Sequence, residues 1–282
     1  MEILRYAAFT AVPEGGNPAG VVLDARGVGE AEMLAVAAEV GYSETAFLVP
    51  PEGATGEFGV RYFSPLAEVS FCGHATIATA VAYAERHGVG EMRLRTQAGA
   101  VTVTTRAEDK GAVTATLVSV APQTKPLADD VLDELLGALR WSRGDMDPAL
   151  PPRVAYAGAW HPIVGVSDRG RLAGLDYDFD GLAALMAREG WTTVDLVHRE
   201  APTVFHARNP FPPGGVVEDP ATGAAAAAFG GYLRELGLVQ APAEVTVYQG
   251  YDMGRPSTIV VSVAAEPGSG IGVSGGAVPI SS

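Results

Sequence analysis

The sequence is short of cysteine, of basic charge and of long apolar runs. Cys72 is the single cysteine among 282 residues, so no intrachain disulfide forms. A lone thiol suits a reducing compartment. Lys and Arg number 19 against 33 Asp and Glu, a formal net charge of −14. Phosphate backbones and anionic membranes are held by clustered Lys and Arg. Nucleic acid and membranes are therefore excluded as partners, and the acidity is read as a solubility feature. No run approaches the roughly 18 apolar residues that span a bilayer. The Ala-rich stretch Ala224–Phe229 is far too short. Met1–Thr10 lacks the basic region and apolar run of a signal peptide. A cytoplasmic location is expected.

Cofactor signatures are missing too. Neither a phosphate-binding P-loop nor a GxGxxG after a strand occurs. No metal-ligand spacing is visible, and His87, His161, His198 and His206 are scattered. No metal is expected. The Gly-rich run Gly268–Gly272 reads as a turn into a final strand.

What is present is a repeat. Asn17–Val22, ending at Asp24, matches His161–Val166, ending at Asp168. Gly41-Tyr42-Ser43 matches Gly190-Trp191-Thr192, and Phe63-Ser64-Pro65 matches Phe211-Pro212-Pro213. The helix from Ala75 to Gly88 matches that from Ala224 to Gly237. The four matches keep their order at offsets of 144 to 149 residues, which points to a duplication. The fold class is α+β, with two pseudo-symmetric domains at 1–121 and 127–282. Pro122–Pro126 reads as the linker, and the last strand, about 270–282, is expected to pack back on the first domain.

Each half reads alike. In the first, strands are expected at Ile3–Val12 and Val21–Asp24, then a helix at Glu30–Val40 stopped by Gly41. Strands follow at Glu44–Val49 and Glu57–Phe63. A helix at Ala75–Arg86 comes next, then strands at Met92–Thr96, Val101–Thr105 and Val113–Val118. Ala75, Ala78, Thr79, Ala80 and Ala82 leave that second helix without a polar face, so it is buried. Its natural place is the axis of a curved sheet or barrel.

The polar residues gather at the two small-residue helix entrances, Phe71–Thr76 and Asp219–Ala224. A helix start presents amides without intrahelical acceptors and a partial positive charge, which favours a carboxylate. Simple capping by Thr222 or Asp219 is the plainer reading of either entrance alone. Glu44 opens an apolar strand and its counterpart in the second half is Thr193. A partly desolvated carboxylate there serves as general acid or base. His74 at its helix entrance is a second proton-exchanging group. Asp219 either orients His74 or caps its own helix. Cys72 is a nucleophile or base near a helix start, or an inert buried thiol.

These residues resemble those of the PhzF-like phenazine-biosynthesis isomerase family, within the diaminopimelate epimerase fold. The matching segments are Ala8-Phe9-Thr10 through Val21, Gly41–Phe47, Arg61–Pro65, Phe71–Thr76, Glu218–Gly223 and Gln249-Gly250. The resemblance implies two domains, each a curved sheet or barrel around a central helix, with the active site between them. It implies no cofactor, a homodimer, and isomerisation of a small anionic metabolite by proton transfer. On its motifs the catalytic residues are Glu44, His74 and Asp219, and the substrate-binding residues are Ser43, Gly73, Thr222, Gly223 and Ala224. The family's substrate-contacting serine falls on Ala224, which lacks the hydroxyl. The expected function is thus a cofactor-independent isomerase or epimerase. The alternative is a non-catalytic metabolite-binding protein that keeps the fold.

Overall fold

The computed structural model describes residues 1–51, 57–108 and 111–281. The chain forms two units, Met1–Val118 with Ser274–Ser282, and Ser119–Val273.

In the first unit the apolar and alternating stretches become β1 (Leu4–Ala8), β2 (Asn17–Val22), β3 (Glu44–Val49), β4 (Phe58–Phe63) and the short β5 (Glu68–Val69). They continue as β6 (Glu91–Thr96), β7 (Gly99–Ala107) and β8 (Val113–Val118). The helices are α1 (Glu30–Val40) and α2 (Gly73–His87). Strand β17 (Gly272–Pro279) comes from the far end of the sequence. Successive pairings β1–β2, β2–β3, β3–β4, β4–β6, β6–β7, β7–β8, β8–β17 and β17–β1 close an eight-strand barrel. The β2–β3 and β4–β6 pairs are parallel. Parallel neighbours need a long crossover, and α1 and α2 supply the two.

Helix α2 touches β1, β2, β3, β7 and β8, and every residue from His74 to Ala82 is buried. Its small side chains let strands approach from several sides, so it is the axis of the barrel. Helix α1 packs Met33, Val36, Ala37 and Val40 with Phe47 and Phe63. Gly41 ends it in the left-handed region at φ 73°, a conformation that favours glycine.

The first expected strand is shorter than the sequence suggested. It stops at Ala8 because Phe9 takes a φ of 62°, which turns an L-residue out of extended backbone. Strand β2 starts earlier, at Asn17, which pairs with Ala8.

The second unit contains β9 (Gln123–Pro126), α3 (Asp129–Ala138), β10 (Arg153–Tyr156) and β11 (Trp160–Gly165). Next come α4 (Arg169–Ala173), α5 (Phe179–Glu189), β12 (Asp195–Ala201), β13 (Val204–Phe211) and β14 (Val216–Asp219). Helix α6 (Gly223–Glu235), β15 (Ala243–Gln249) and β16 (Ser257–Val263) complete it. The pairings β10–β11, β11–β12, β12–β13, β13–β15 and β15–β16 run antiparallel, parallel, antiparallel, parallel, antiparallel. That is the order found from β1 to β7 in the first unit. Gly190 ends α5 at φ 71°, as Gly41 ends α1. Helix α6 touches β9, β10, β11 and β16 and is buried along Ala225–Leu233.

One sequence expectation is corrected here. Pro122–Pro126 is not a plain linker, because Gln123–Pro126 pairs antiparallel with β10. Two prolines in five residues suggested a break, yet Pro122 lies outside the strand and Pro126 is its last residue. Among the described residues, no helix is long and apolar enough to cross a membrane.

Candidate active site

Strand β3 begins where the left-handed turn at Gly41 ends, and Glu44 is its first residue. Cys72 is the N-cap of α2, and His74 is that helix's second residue. The barrel brings these segments together. Glu44 Oε2 lies 3.4 Å from His74 Nε2, with side chains 16% and 8% exposed. Ser43 Oγ is 3.5 Å from the same nitrogen. Cys72 Sγ is 3.3 Å from His74 Nδ1 and 3.8 Å from Nε2. One carboxylate oxygen, one thiol sulfur and one imidazole nitrogen thus fall within 4.8 Å of one another. The spacing rule missed this group because its ligand atoms come from a strand start and a helix entrance.

A buried buttress fixes the entrance. Thr76 Oγ1 donates to Cys72 O at 2.6 Å. That hydroxyl's proton is then committed, so the Tyr62 hydroxyl is the donor in its 2.6 Å contact with Thr76 Oγ1. Burial pushes the Tyr62 phenol well above its ordinary range, so it stays a donor. The Cys72 side chain forms no capping bond onto the helix. Gly73 opens α2, with only the far edge of the Phe71 ring near its missing side chain.

In the second unit, Asp219 ends β14 and Thr222 is the N-cap of α6. The Thr222 hydroxyl donates to Asp219 Oδ2 at 2.6 Å rather than capping the helix. Gln249, the last residue of β15, ties the turn together. Its Oε1 accepts from the Thr222 amide at 3.1 Å, and its Nε2 donates to Asp219 O at 2.7 Å and Thr222 Oγ1 at 2.9 Å. Gly250 follows at φ 76°, and a side chain there would come within 2.3 Å of Arg255 O. The Gln249-Gly250 pair was visible as a motif, but its role was not. Gly223 is buried as the first residue of α6, and Ala224 follows it on the first turn.

Residues 6–282 match the family model described as phenazine biosynthesis-like protein, PhzC-PhzF. The chain belongs to the PhzC-PhzF family. It is 31% identical over 271 residues to an isomerase of Bacillus subtilis named YfhB, covering 93% of this chain and 90% of that protein. It is 30% identical over 250 residues to trans-2,3-dihydro-3-hydroxyanthranilate isomerase of Pseudomonas chlororaphis, covering 89% and 86%. The crystal structure of a PhzF-family protein from Bacillus anthracis matches with a TM-score of 0.88 at 28% identity, covering 100% of this chain and 98% of that one. The chain is an isomerase of this family.

In this PhzF-family isomerase the repeat isolates Glu44. Counting from the matched left-handed glycines Gly41 and Gly190, the counterpart of Glu44 is Thr193. Thr193 is sealed in the second unit's core. Its hydroxyl donates to Asn209 Oδ1 at 2.7 Å and therefore accepts from His161 Nδ1 at 2.9 Å. Asn209 Nδ2 donates to Asp195 Oδ1 at 3.1 Å. Burial lowers the His161 pKa to about 4 and raises that of Asp195 to about 7. Where the first unit keeps a partly exposed carboxylate, the second keeps a buried hydrogen-bonded chain.

Proposed function

We propose that the protein is a cofactor-independent isomerase or epimerase of a small carboxylate, in which Glu44 moves the proton. Glu44 takes a proton from a substrate carbon and returns it at another position. The observation that carries this reading is the Glu44 carboxylate, 16% exposed and 3.4 Å from His74 Nε2 beside the start of α2. A carboxylate with little surrounding water and an imidazole neighbour is suited to accept and donate a proton in turn. His74 holds that carboxylate and supplies a second polar group to the substrate.

In this reading the helix entrance at Gly73 and the helix entrance at Gly223 are each suited to hold a substrate's anionic group. Neither Cys72 nor Thr222 caps its helix with its side chain. First-turn amides left without such caps favour an anion and stabilise charge that develops during proton transfer. Asp219, tied to Thr222 and Gln249, positions the second entrance at Gly223. The Pseudomonas relative is named for trans-2,3-dihydro-3-hydroxyanthranilate, and a small unsaturated carboxylate of that kind is the proposed substrate class. Ala224 offers no hydroxyl to such a ligand, so the substrate differs where a serine would have donated.

Incubating the protein with a panel of small carboxylic acids in deuterated water tests this. The wild type incorporates solvent deuterium into its substrate. Glu44→Gln slows incorporation by roughly a hundred- to ten-thousand-fold. Undiminished incorporation by Glu44→Gln removes Glu44 from the chemistry. Tight binding of an acid without any incorporation makes the protein a metabolite binder instead.

A further inference from the structure

We infer that Glu44, Cys72 and His74 form a binding site for Zn2+, and that the bound ion inhibits the enzyme. The inhibition rests on the role proposed above for Glu44; the binding does not.

The argument starts from ligand geometry. Zinc takes thiolate sulfur at about 2.3 Å, imidazole nitrogen at about 2.0–2.1 Å and carboxylate oxygen at about 2.0–2.2 Å, in a tetrahedron. Those bond lengths set the edges of the tetrahedron at about 3.6 Å for sulfur to nitrogen and about 3.4 Å for nitrogen to oxygen. In the protein, His74 Nε2 lies 3.8 Å from Cys72 Sγ. The same nitrogen lies 3.4 Å from Glu44 Oε2. The nitrogen-to-oxygen edge therefore matches before any ion arrives; the sulfur lies nearer Nδ1, at 3.3 Å, and swings to the Nε2 side to complete the shell, the three donors lying within 4.8 Å of one another.

The donor set selects the ion. One sulfur, one nitrogen and one oxygen suit a borderline divalent cation such as Zn2+. Mg2+ and Ca2+ prefer oxygen-only shells. Three protein ligands also leave the fourth position of the tetrahedron open. Preorganisation adds to the case. The Tyr62–Thr76–Cys72 chain of hydrogen bonds fixes the α2 entrance that carries both Cys72 and His74. Glu44 is fixed by the pairing of β3 with β2, in which it sits opposite Ala19. The ordering left for the metal to impose is the reorientation of the Cys72 side chain.

A bound ion would coordinate the carboxylate that moves the proton. Occupancy is thus incompatible with turnover, and the ion acts as an inhibitor rather than a cofactor. The thiol sets the affinity and reports the site.

Titration of the metal-free protein with Co2+, followed by displacement with Zn2+, tests the site without using activity. A thiolate ligand gives a charge-transfer band with Co2+. The band is expected at one equivalent per chain and is abolished in Cys72→Ala. Zn2+ affinity is expected to fall by more than about tenfold in Cys72→Ala and in Glu44→Gln, since loss of even an outer-shell partner has an effect of about that size. Circular dichroism of each variant confirms that it is folded. Micromolar Zn2+ is expected to stop deuterium exchange, and a chelator to restore it. Absence of the band, or Zn2+ affinity unchanged by both substitutions, overturns the site and assigns any binding to surface histidines. Binding that leaves exchange running overturns the inhibition. If Zn2+ binds as described while Glu44→Gln retains full exchange, the catalytic role of Glu44 falls and the metal site stands.

Discussion

Asp195 and His161 lie in one buried chain with Thr193 and Asn209, and their titrations oppose each other. Burial raises the Asp195 pKa from 3.8 to about 7. Between those values the unfolded chain has released a proton that the fold retains, so stability falls as pH rises, and the loss is complete above about 7. Burial lowers the His161 pKa from 6.5 to about 4. Between those values the unfolded chain holds a proton that the fold excludes, so stability rises with pH and is lost on acidification. From about pH 4 to 6.5 the two slopes cancel in the wild type. Each neutral substitution should expose the other. In Asp195→Asn, stability should climb across that window, by on the order of 3 kcal/mol. In His161→Gln it should decline by a similar amount up to about pH 7. Urea unfolding at a series of pH values reads both slopes, and two flat profiles would refute the account. The chain of residues was not legible in the sequence. Asp195 opens an apolar strand like any strand-starting acid, and nothing local shows that Asn209 on the next strand will reach it. Glu44 and His74 were singled out in the sequence because the repeat supplied a comparison and they departed from it, and the fold sets them 3.4 Å apart. Their contact with Cys72 was not legible, since a residue two positions along a helix start is brought back onto its neighbour only by the fold.

At the scale of elements, the helices were the most readable parts. Glu30–Val40 was bounded by a glycine that closes it, and the small-residue pattern of α2 and α6 announced burial on all sides. Proline density hid β9, because its pairing with β10 depends on residues about thirty positions away. The same proline explains a packing constraint on α6. A side chain added at Gly231 would come within 2.4 Å of Pro122 Cβ. Alanine is favoured over glycine in a helix by about 1 kcal/mol, whereas overpacking a dense core costs about 1–3 kcal/mol. Packing should win at this position, so Gly231→Ala is expected to destabilise the protein by about 1–2 kcal/mol. Gly137 in α3 is the contrasting case, exposed and with nothing within 4 Å of an added side chain. Gly137→Ala should stabilise by up to about 1 kcal/mol. Thermal unfolding of the two variants should shift in opposite directions, and a common direction would show that propensity alone governs both helices.

At the scale of the whole molecule, the barrel that carries Glu44 and His74 is completed by the end of the chain. Strand β17 pairs Tyr6 with Pro279, Ala7 with Val278 and Ala8 with Ala277. The Phe9 amide donates to Gly276 O at 2.7 Å, and the Ile280 amide to Arg5 O at 2.8 Å. On the other edge, Thr116 of β8 meets Ser274 through their hydroxyls at 2.7 Å. Gly275 has no side chain because Phe9 fills that space; a Cβ would lie 2.4 Å from its ring. Removing residues 274–282 therefore leaves β1 and β8 as two open edges and uncovers Phe9. An open edge exposes a row of unpaired backbone groups, and α2 loses part of the wall that buries it. The truncated chain is expected to lose amide protection in β1, β8 and α2 while β12, β13 and α6 keep theirs, since none of the second unit's residues is removed. Deuterium exchange of substrate should fail with it, because Glu44 and His74 are held by the barrel that has opened. Hydrogen exchange read by mass spectrometry distinguishes the two units directly. Protection of β1 and β8 at wild-type levels would show that the barrel is stable without its last strand, and loss throughout the chain would show that the two units fold as one.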